Sequence, residues 1–303
     1  MKLGRLRRRA GGVIDRRGQG MTFGGGGGGF SRGGGLPIPI GGGGLGIGAI
    51  ILVLIVLFVV PRLTGGDDPL GGALSPFDQT GPVQPGGTGV DPTDPRGQFV
   101  DAVMDDVQTT WIDIFARSGK QYQETDVVLF EGGTSTGCGN ATSDVGPFYC
   151  PADQLVYLDL GFFDELEDRF GAPGDFAEAY VIAHEVGHHV QNLLGIDAQV
   201  RQMVSEDPSR RNDLSIRQEL QADCFAGVWG RAAQGAGVLE AGDLEEGIAA
   251  AASVGDDRIQ RAATGRINPE TWTHGSSEQR VQWFRTGFQV GNPDACDTFS
   301  TDI

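Results

Sequence analysis

From residue 98 onward the apolar positions fall into helical and extended periods. Phe99, Val103, Val107, Trp111 and Ile114/Phe115 recur at the spacing of one helix face, and Gly119 stops the run. Asp126–Phe130 (DVVLF) and Leu155–Asp159 (LVYLD) are short and rich in β-branched and aromatic residues, which predicts strands. Asp175 with Glu178 three positions later reads as a capping box. It opens the helix of FAEAYVIAHEVGHHVQNLLG, which ends at Gly195. A further helix is predicted from about Leu214 to Gln234, and the pairs Asp243/Glu246 and Ser276/Gln279 open two more.

The preceding part of the chain follows a different pattern. Leu45–Val60 (LGIGAIILVLIVLFVV) carries no charge, and Gly41–Gly44 extend it to a run about 30 Å long as a helix, one hydrocarbon thickness. This predicts a transmembrane helix over 41–60. A buried core helix fits less well, because neither flank supplies an amphipathic partner. A cleaved signal peptide would have an unusually long charged region, and no small-x-small site follows Val60. Residues 1–40 are basic and Gly-rich and are expected to be disordered. Residues 61–97 form a Pro/Gly linker without periodicity, and 98–303 form one domain.

Charge sharpens this division. The net charge of -17 excludes a nucleic-acid partner, which would need a basic face. Within residues 1–40, however, Lys2, Arg5, Arg7, Arg8, Arg9, Arg16, Arg17 and Arg32 stand against the single acid Asp15. The positive-inside rule then predicts a single-pass cell-membrane protein with a cytoplasmic N-terminus and an extracytoplasmic domain. The even set Cys138, Cys150, Cys224 and Cys296 suits two disulfides in that compartment. Three connectivities are possible. The compact loop CGNATSDVGPFYC favours Cys138–Cys150, leaving Cys224–Cys296.

Candidate chemistry centres on VIAHEVGHHV, Val181–Val190, which holds three of the chain's 4 histidines. On a helix, His184 and His188 lie one above the other and can share a cation. Glu185, about 100° round the axis, suits a general base acting on a water activated by the metal. This is H-E-x-x-H, and the hydrolytic chemistry favours zinc. A catalytic zinc needs a third protein ligand. His189 points away from the 184/188 face and reads as structural. In RQELQADCFAG, Glu219 and Asp223 are again i and i+4. Glu219 can ligate, and Asp223 can accept the N–H of a ligand histidine. His274, just before the Ser276 cap, can steady an oxyanion, with Arg280 as a neighbour; a surface-loop histidine is the alternative. A substrate strand can pair with a sheet edge, for which LVYLD is the candidate.

The stretches TGCGNATSDVGPFYCPADQLVYLDLGFF, AHEVGHHVQ, ELQADCFAGVW, THGSSEQR and ACDTF, with DRRG in the tail, together resemble one family, the putative neutral zinc metallopeptidases, which are single-pass bacterial membrane proteins. The resemblance implies a gluzincin-like peptidase acting on peptide or protein substrates, with Zn2+ on His184, His188 and Glu219 and Glu185 as catalyst. The fold class expected is α+β: a mostly helical zincin-like metallopeptidase domain with a small β-sheet, preceded by one transmembrane helix. The alternative function is a catalytically silent zinc-binding module of the cell envelope, which would predict loss of Glu185. A structural protein with a coincidental motif would predict no Glu219/Asp223 pair.

Overall fold

The computed structural model describes residues 1–7, 12–18 and 87–303. The expected transmembrane helix over 41–60 lies outside them. Among the described residues, no helix is long and apolar enough to cross a membrane. The class is α+β, mostly helical with a small sheet.

The chain runs β1 (Val13–Asp15), β2 (Gly87–Thr88), α1 (Pro95–Arg117), β3 (Val127–Phe130), β4 (Gly133–Thr136), β5 (Gly139–Thr142), β6 (Phe148–Cys150) and β7 (Leu155–Asp159). It continues through α2 (Gly161–Asp168), α3 (Asp175–Leu193), α4 (Ile196–Glu206), α5 (Arg211–Gly235), α6 (Asp243–Ser253), α7 (Asp256–Thr264) and α8 (Ser277–Val290). Five strands form one sheet in the order β2-β1-β3-β7-β6, and β4 and β5 form a separate hairpin. The strands β1, β3 and β7 run parallel; β2 and β6 are antiparallel to their neighbours. A strand covered on both faces must be apolar at every position, and all four residues of β3 are buried. Val127, Leu129, Val156 and Leu158 face the main helical core. Val128, Phe130 and Tyr157 pack on the other face with Cys150, which is bonded to Cys138 beside the β4–β5 hairpin.

The N-terminal stretch departs from the expectation of a disordered tail. Residues Val13, Ile14 and Asp15 pair in parallel with Val127, Val128 and Leu129, so β1 is an interior strand. Met1, Leu6 and Val13 are part of the core. Three of the arginines that suggest a topology signal, Arg7, Arg16 and Arg17, have partners in the fold, while Arg8, Arg9 and Arg32 lie outside the described residues. Arg7 Nε lies 3.0 Å from Asp106 Oδ1, and its Nη1 lies 3.0 Å from Asp113 Oδ2. Arg17 bonds both Asp15 and Asp94, and Arg16 Nη1 reaches Ser135 O at 3.0 Å. Asp106, fully buried in α1, also accepts from Trp229 Nε1 at 3.0 Å. A basic run needs no cytoplasm when a buried carboxylate awaits it. A single crossing between Gly18 and Gly87 would put β1 and β3 on opposite sides of a membrane. With β1 hydrogen-bonded to β3, the stretch around Val13–Asp15 is part of the domain's sheet.

Helix starts also differ from the pattern. The Ser276/Gln279 capping box forms. At Asp175 and Asp243 glycines take the cap position, and the two aspartates fall in the first turn, where their charge suits the helix dipole. Glu246 instead accepts the Phe176 N–H across to α3 at 3.1 Å.

Candidate metal centre

The helix that carries the histidines is apolar nearly all round. Phe176, Tyr180, Ile182, Val186 and Val190 are each at most 1 % exposed, as expected of a central helix rather than a surface one. Helix α5 crosses it at Gly187. A Cβ there would sit 3.1 Å from Ala222 O and 3.2 Å from Ala222 Cα, so the glycine permits the close approach that brings Glu219 to the histidines. On its far side α5 meets α8, where a Cβ on Gly287 would fall 1.9 Å from Cys224 O. The Cys224–Cys296 bond then ties the segment after α8 to α5.

The donor atoms converge. His184 Nε2 lies 3.2 Å from Glu219 Oε2, and His188 Nε2 lies 3.5 Å from Glu219 Oε1. Two donors on one tetrahedral zinc, each 2.0–2.1 Å from it, would be about 3.4 Å apart. The two separations are close to that edge, and the three residues can each offer one donor atom within 4.8 Å of the others; the donor set suits zinc, and two imidazoles plus one carboxylate leave a fourth position for chemistry. A second acidic group, Asp175, Asp243 and Glu246, also brings carboxylates together, but it offers no imidazole and does not line the cleft described below.

The ring nitrogens facing away are held as well. Asp223 Oδ1 lies 2.9 Å from His184 Nδ1, so this nitrogen donates and Nε2 faces Glu219. Asp223 is gripped by both Arg280 nitrogens, at 2.8 and 2.9 Å, and by the Tyr180 hydroxyl. His188 Nδ1 lies 2.9 Å from Gln191 Oε1, whose amide donates to Gln218 O at 2.7 Å. Arg280 was expected beside His274 at the oxyanion. It does line the cleft with His274, and its buried guanidinium is paired with Asp223, which it holds in place.

The electrostatics follow from burial and pairing. Burial pulls the His184 pKa down, but the hydrogen bonds and charges of Asp223 and Glu219 override it and raise it to about 10 in the metal-free protein. Burial pushes Glu219 up, and the histidines around it, through electrostatic attraction and the His184 hydrogen bond, override this and hold it well below the usual carboxylate range. Glu185 is raised, chiefly by burial, with His184 and His188 opposing and Glu219 reinforcing.

A cleft of about 510 Å³ opens over these groups; His184, Glu185, His188, Glu219 and His274 all line it. His274 thus belongs to the same site rather than to a surface loop. It is oriented by Asp256, a residue the sequence pattern did not single out: Nδ1 lies 3.1 Å from Asp256 Oδ1, while Oδ2 accepts the backbone N–H groups of Thr273, His274 and Gly275. Burial lowers the His274 pKa, yet Asp256 and then Glu219 raise it overall, which favours a cationic ring. The Asp256→Asn variant is expected to lower kcat by less than the ~10²-fold typical of removing an oxyanion donor outright. Losing the carboxylate lowers the His274 pKa, so the alkaline limb of the pH–rate profile moves to lower pH, with zinc content unchanged. An unmoved limb would show that Asp256 only shapes the loop.

His189 does point elsewhere. It is fully buried, its Nε2 donates to Gln123 O at 2.7 Å, and its Nδ1 accepts from Tyr149 Oη at 3.0 Å. Burial lowers its pKa and keeps it neutral. Tyr149 lies on β6, so His189 ties the metal helix to the sheet edge. That edge is β6 and not Leu155–Asp159: β7 is interior, between β3 and β6. The residues from Gly146 to Tyr149 line the cleft.

A family model described as "Putative neutral zinc metallopeptidase" matches residues 2–299. The chain belongs to this family. The match includes the N-terminal stretch that joins the sheet. Among curated relatives of this chain, the "Uncharacterized protein YpfJ" of Escherichia coli (strain K12) is 52% identical over 211 residues, 69% of this chain and 74% of that protein. The "Uncharacterized protein Rv2575" of Mycobacterium tuberculosis (strain ATCC 25618 / H37Rv) is 50% identical over 190 residues, 59% of this chain and 64% of that protein. No solved structure matches the chain.

Some of the metallopeptidase site was open to sequence reasoning and some was not. Tyr180 stands one helical turn before His184, the same spacing that exposed the Glu219/Asp223 pair, and could have been found that way. Gln191 follows His188 by three and offered a similar signal. Asp256 precedes His274 by eighteen residues and an intervening helix, and no spacing rule connects them.

Proposed function

We propose that this chain is a zinc-dependent peptidase that hydrolyses peptide bonds in the cleft between β6 and the α3/α5 pair. The observation that carries the reading is the meeting of His184 Nε2, His188 Nε2 and a Glu219 carboxylate at the edge lengths of a zinc tetrahedron, beside Glu185. His184, His188 and Glu219 would hold the zinc, which when bound would supply a Lewis acid for the scissile carbonyl and for activating water near neutral pH. Glu185 takes the proton of the attacking water and passes it to the leaving amine. His274, held by Asp256, donates to the oxyanion of the tetrahedral species. A substrate strand pairs along β6, whose outer edge has no neighbour among the described strands. The test is a digest of a peptide library by the full chain, with zinc and after chelation, read by mass spectrometry. Zinc-dependent cleavage at a consistent site is expected; the same fragments from the chelated chain would overturn the reading.

The apolar run over 41–60 supports attachment to a membrane, and the two disulfides support an oxidising compartment outside the cytoplasm. Met1–Gly18 stays with the catalytic domain. In cells, Lys2→Cys and Asp302→Cys, both exposed positions, are expected to react equally with a membrane-impermeant maleimide. Labelling of only one of the two would restore a single crossing.

A further inference from the structure

The wall of the cleft formed by α4 and α5 carries a cation that the peptidase chemistry does not use. Arg211, Ser215 and Glu219 succeed one another at intervals of four on α5, and all three line the cleft. They therefore share a helix face, and Arg211 lies about 12 Å along the axis from the metal-binding carboxylate. Its Nη1 is buried and has no hydrogen-bond partner among the described residues. Arg217 on the same helix is satisfied: its Nε lies 3.1 Å from Asp213 Oδ1 and its Nη1 donates to Thr301 O at 2.8 Å. In a chain of net charge -17, carboxylates are plentiful, yet none among the described residues pairs with Arg211. A buried guanidinium donor left unpaired costs about 1–3 kcal/mol, more when charged, so such a position is retained where something else fills it. Arg201 lies on the adjacent helix at the same wall; its charge acts on Asp197, which is held by Gln218 Nε2 at 2.9 Å.

We propose that Arg211, which lines the cleft together with Arg201, forms a carboxylate-binding subsite, so that favoured substrates carry a carboxylate two to four residues from the scissile bond. The spacing follows from an extended peptide advancing about 3.3–3.6 Å per residue against the ~12 Å offset. A planar guanidinium with two free N–H groups suits a carboxylate in bidentate fashion, where a neutral amide cannot replace both bonds. The carboxylate comes from an Asp or Glu side chain or from a free C-terminus. This reading rests on the cleft being a peptide site, and its test separates the two.

The test uses two matched peptide pairs: Glu against Gln at each position two to four residues from the bond, and free acid against C-terminal amide. Cleavage by the zinc-loaded full chain is measured as kcat and KM. Binding of the same peptides to the Glu185→Gln chain is measured by fluorescence anisotropy. Both are repeated in Arg211→Gln and Arg211→Lys backgrounds. About tenfold preference for the acidic member is expected, mainly in KM and in Kd. It should be lost in Arg211→Gln and partly kept in Arg211→Lys. The pair that shows the preference identifies the source of the carboxylate. If nothing is cleaved but the Kd preference and its loss in Arg211→Gln remain, the subsite stands and the peptidase reading falls. If acidic and neutral members behave alike in the unsubstituted chain, or the preference survives Arg211→Gln, the subsite is overturned whatever the cleavage activity.

Discussion

Glu185→Gln is expected to slow peptide cleavage by about two to four orders of magnitude, with zinc still bound at its normal stoichiometry. Glutamine keeps the shape of the side chain and its place on α3, but it cannot accept the proton of the attacking water. The metal ligands are untouched, since Glu185 projects about 100° round the helix from the His184/His188 face. Burial raises the Glu185 pKa against the pull of the two histidines. That direction belongs to the metal-free chain; a dication bound beside Glu185 would favour its carboxylate form, the one that accepts the proton. Initial rates on a peptide found in the library digest, with metal measured by mass spectrometry on the same sample, give the answer. Equal rates in the two proteins would remove Glu185 from catalysis. Absence of cleavage in both, with zinc bound, would favour the silent zinc-binding module.

The second large effect is on the metal itself. His188→Ala or Glu219→Ala is expected to reduce the chain to two ligands and to abolish zinc retention through gel filtration, while Glu185→Gln retains it. The metal-free site holds itself together by ion pairing, with His184 between Asp223 and Glu219. Its pKa of about 10 means that this ring is protonated at neutral pH when no metal is present. Zinc requires the neutral imidazole, so binding at pH 7 releases this proton. The sign follows: apparent zinc affinity rises with pH up to about 10 and falls on acidification. Calorimetry in buffers of different ionisation enthalpy measures the released proton directly. In the metal-free chain the same shift acts oppositely on stability. The contribution of His184 is fully present below its unfolded pKa and is lost as the pH rises through the folded value. No proton released at pH 7 would show that His184 is neutral before the metal arrives.

The central chemistry was legible because it is local. An i, i+4 relation on a helix decides by itself that two side chains share a face, and this placed His184 with His188 and Glu219 with Asp223. The capping pair Ser276/Gln279 and the short loop between Cys138 and Cys150 are local in the same sense, and both occur as expected. Two other capping pairs did not form. Cap position depends on backbone angles, which flanking glycines changed, and Glu246 found a partner on another helix. The basic tail misled for a related reason. Charge alone does not say whether an arginine faces lipid headgroups or a buried carboxylate such as Asp106, 99 residues away.

By itself, the sequence determined the helices that carry His184 and Glu219, the strands Val127–Phe130 and Leu155–Asp159, the i, i+4 pairs on those helices and the even cysteine set, since each depends on spacing within a few turns of one helix or loop. Only the tertiary structure decided the rest: that β1 is interior to the sheet, that β6 and not β7 is the edge over the cleft, that Asp256 aims His274, and that Arg211 stands unpaired in the same wall as Glu219. Those facts depend on which surfaces meet after the chain has folded. That choice is set by the packing of many side chains at once, as at Gly187 against Ala222, and no period along the chain encodes it.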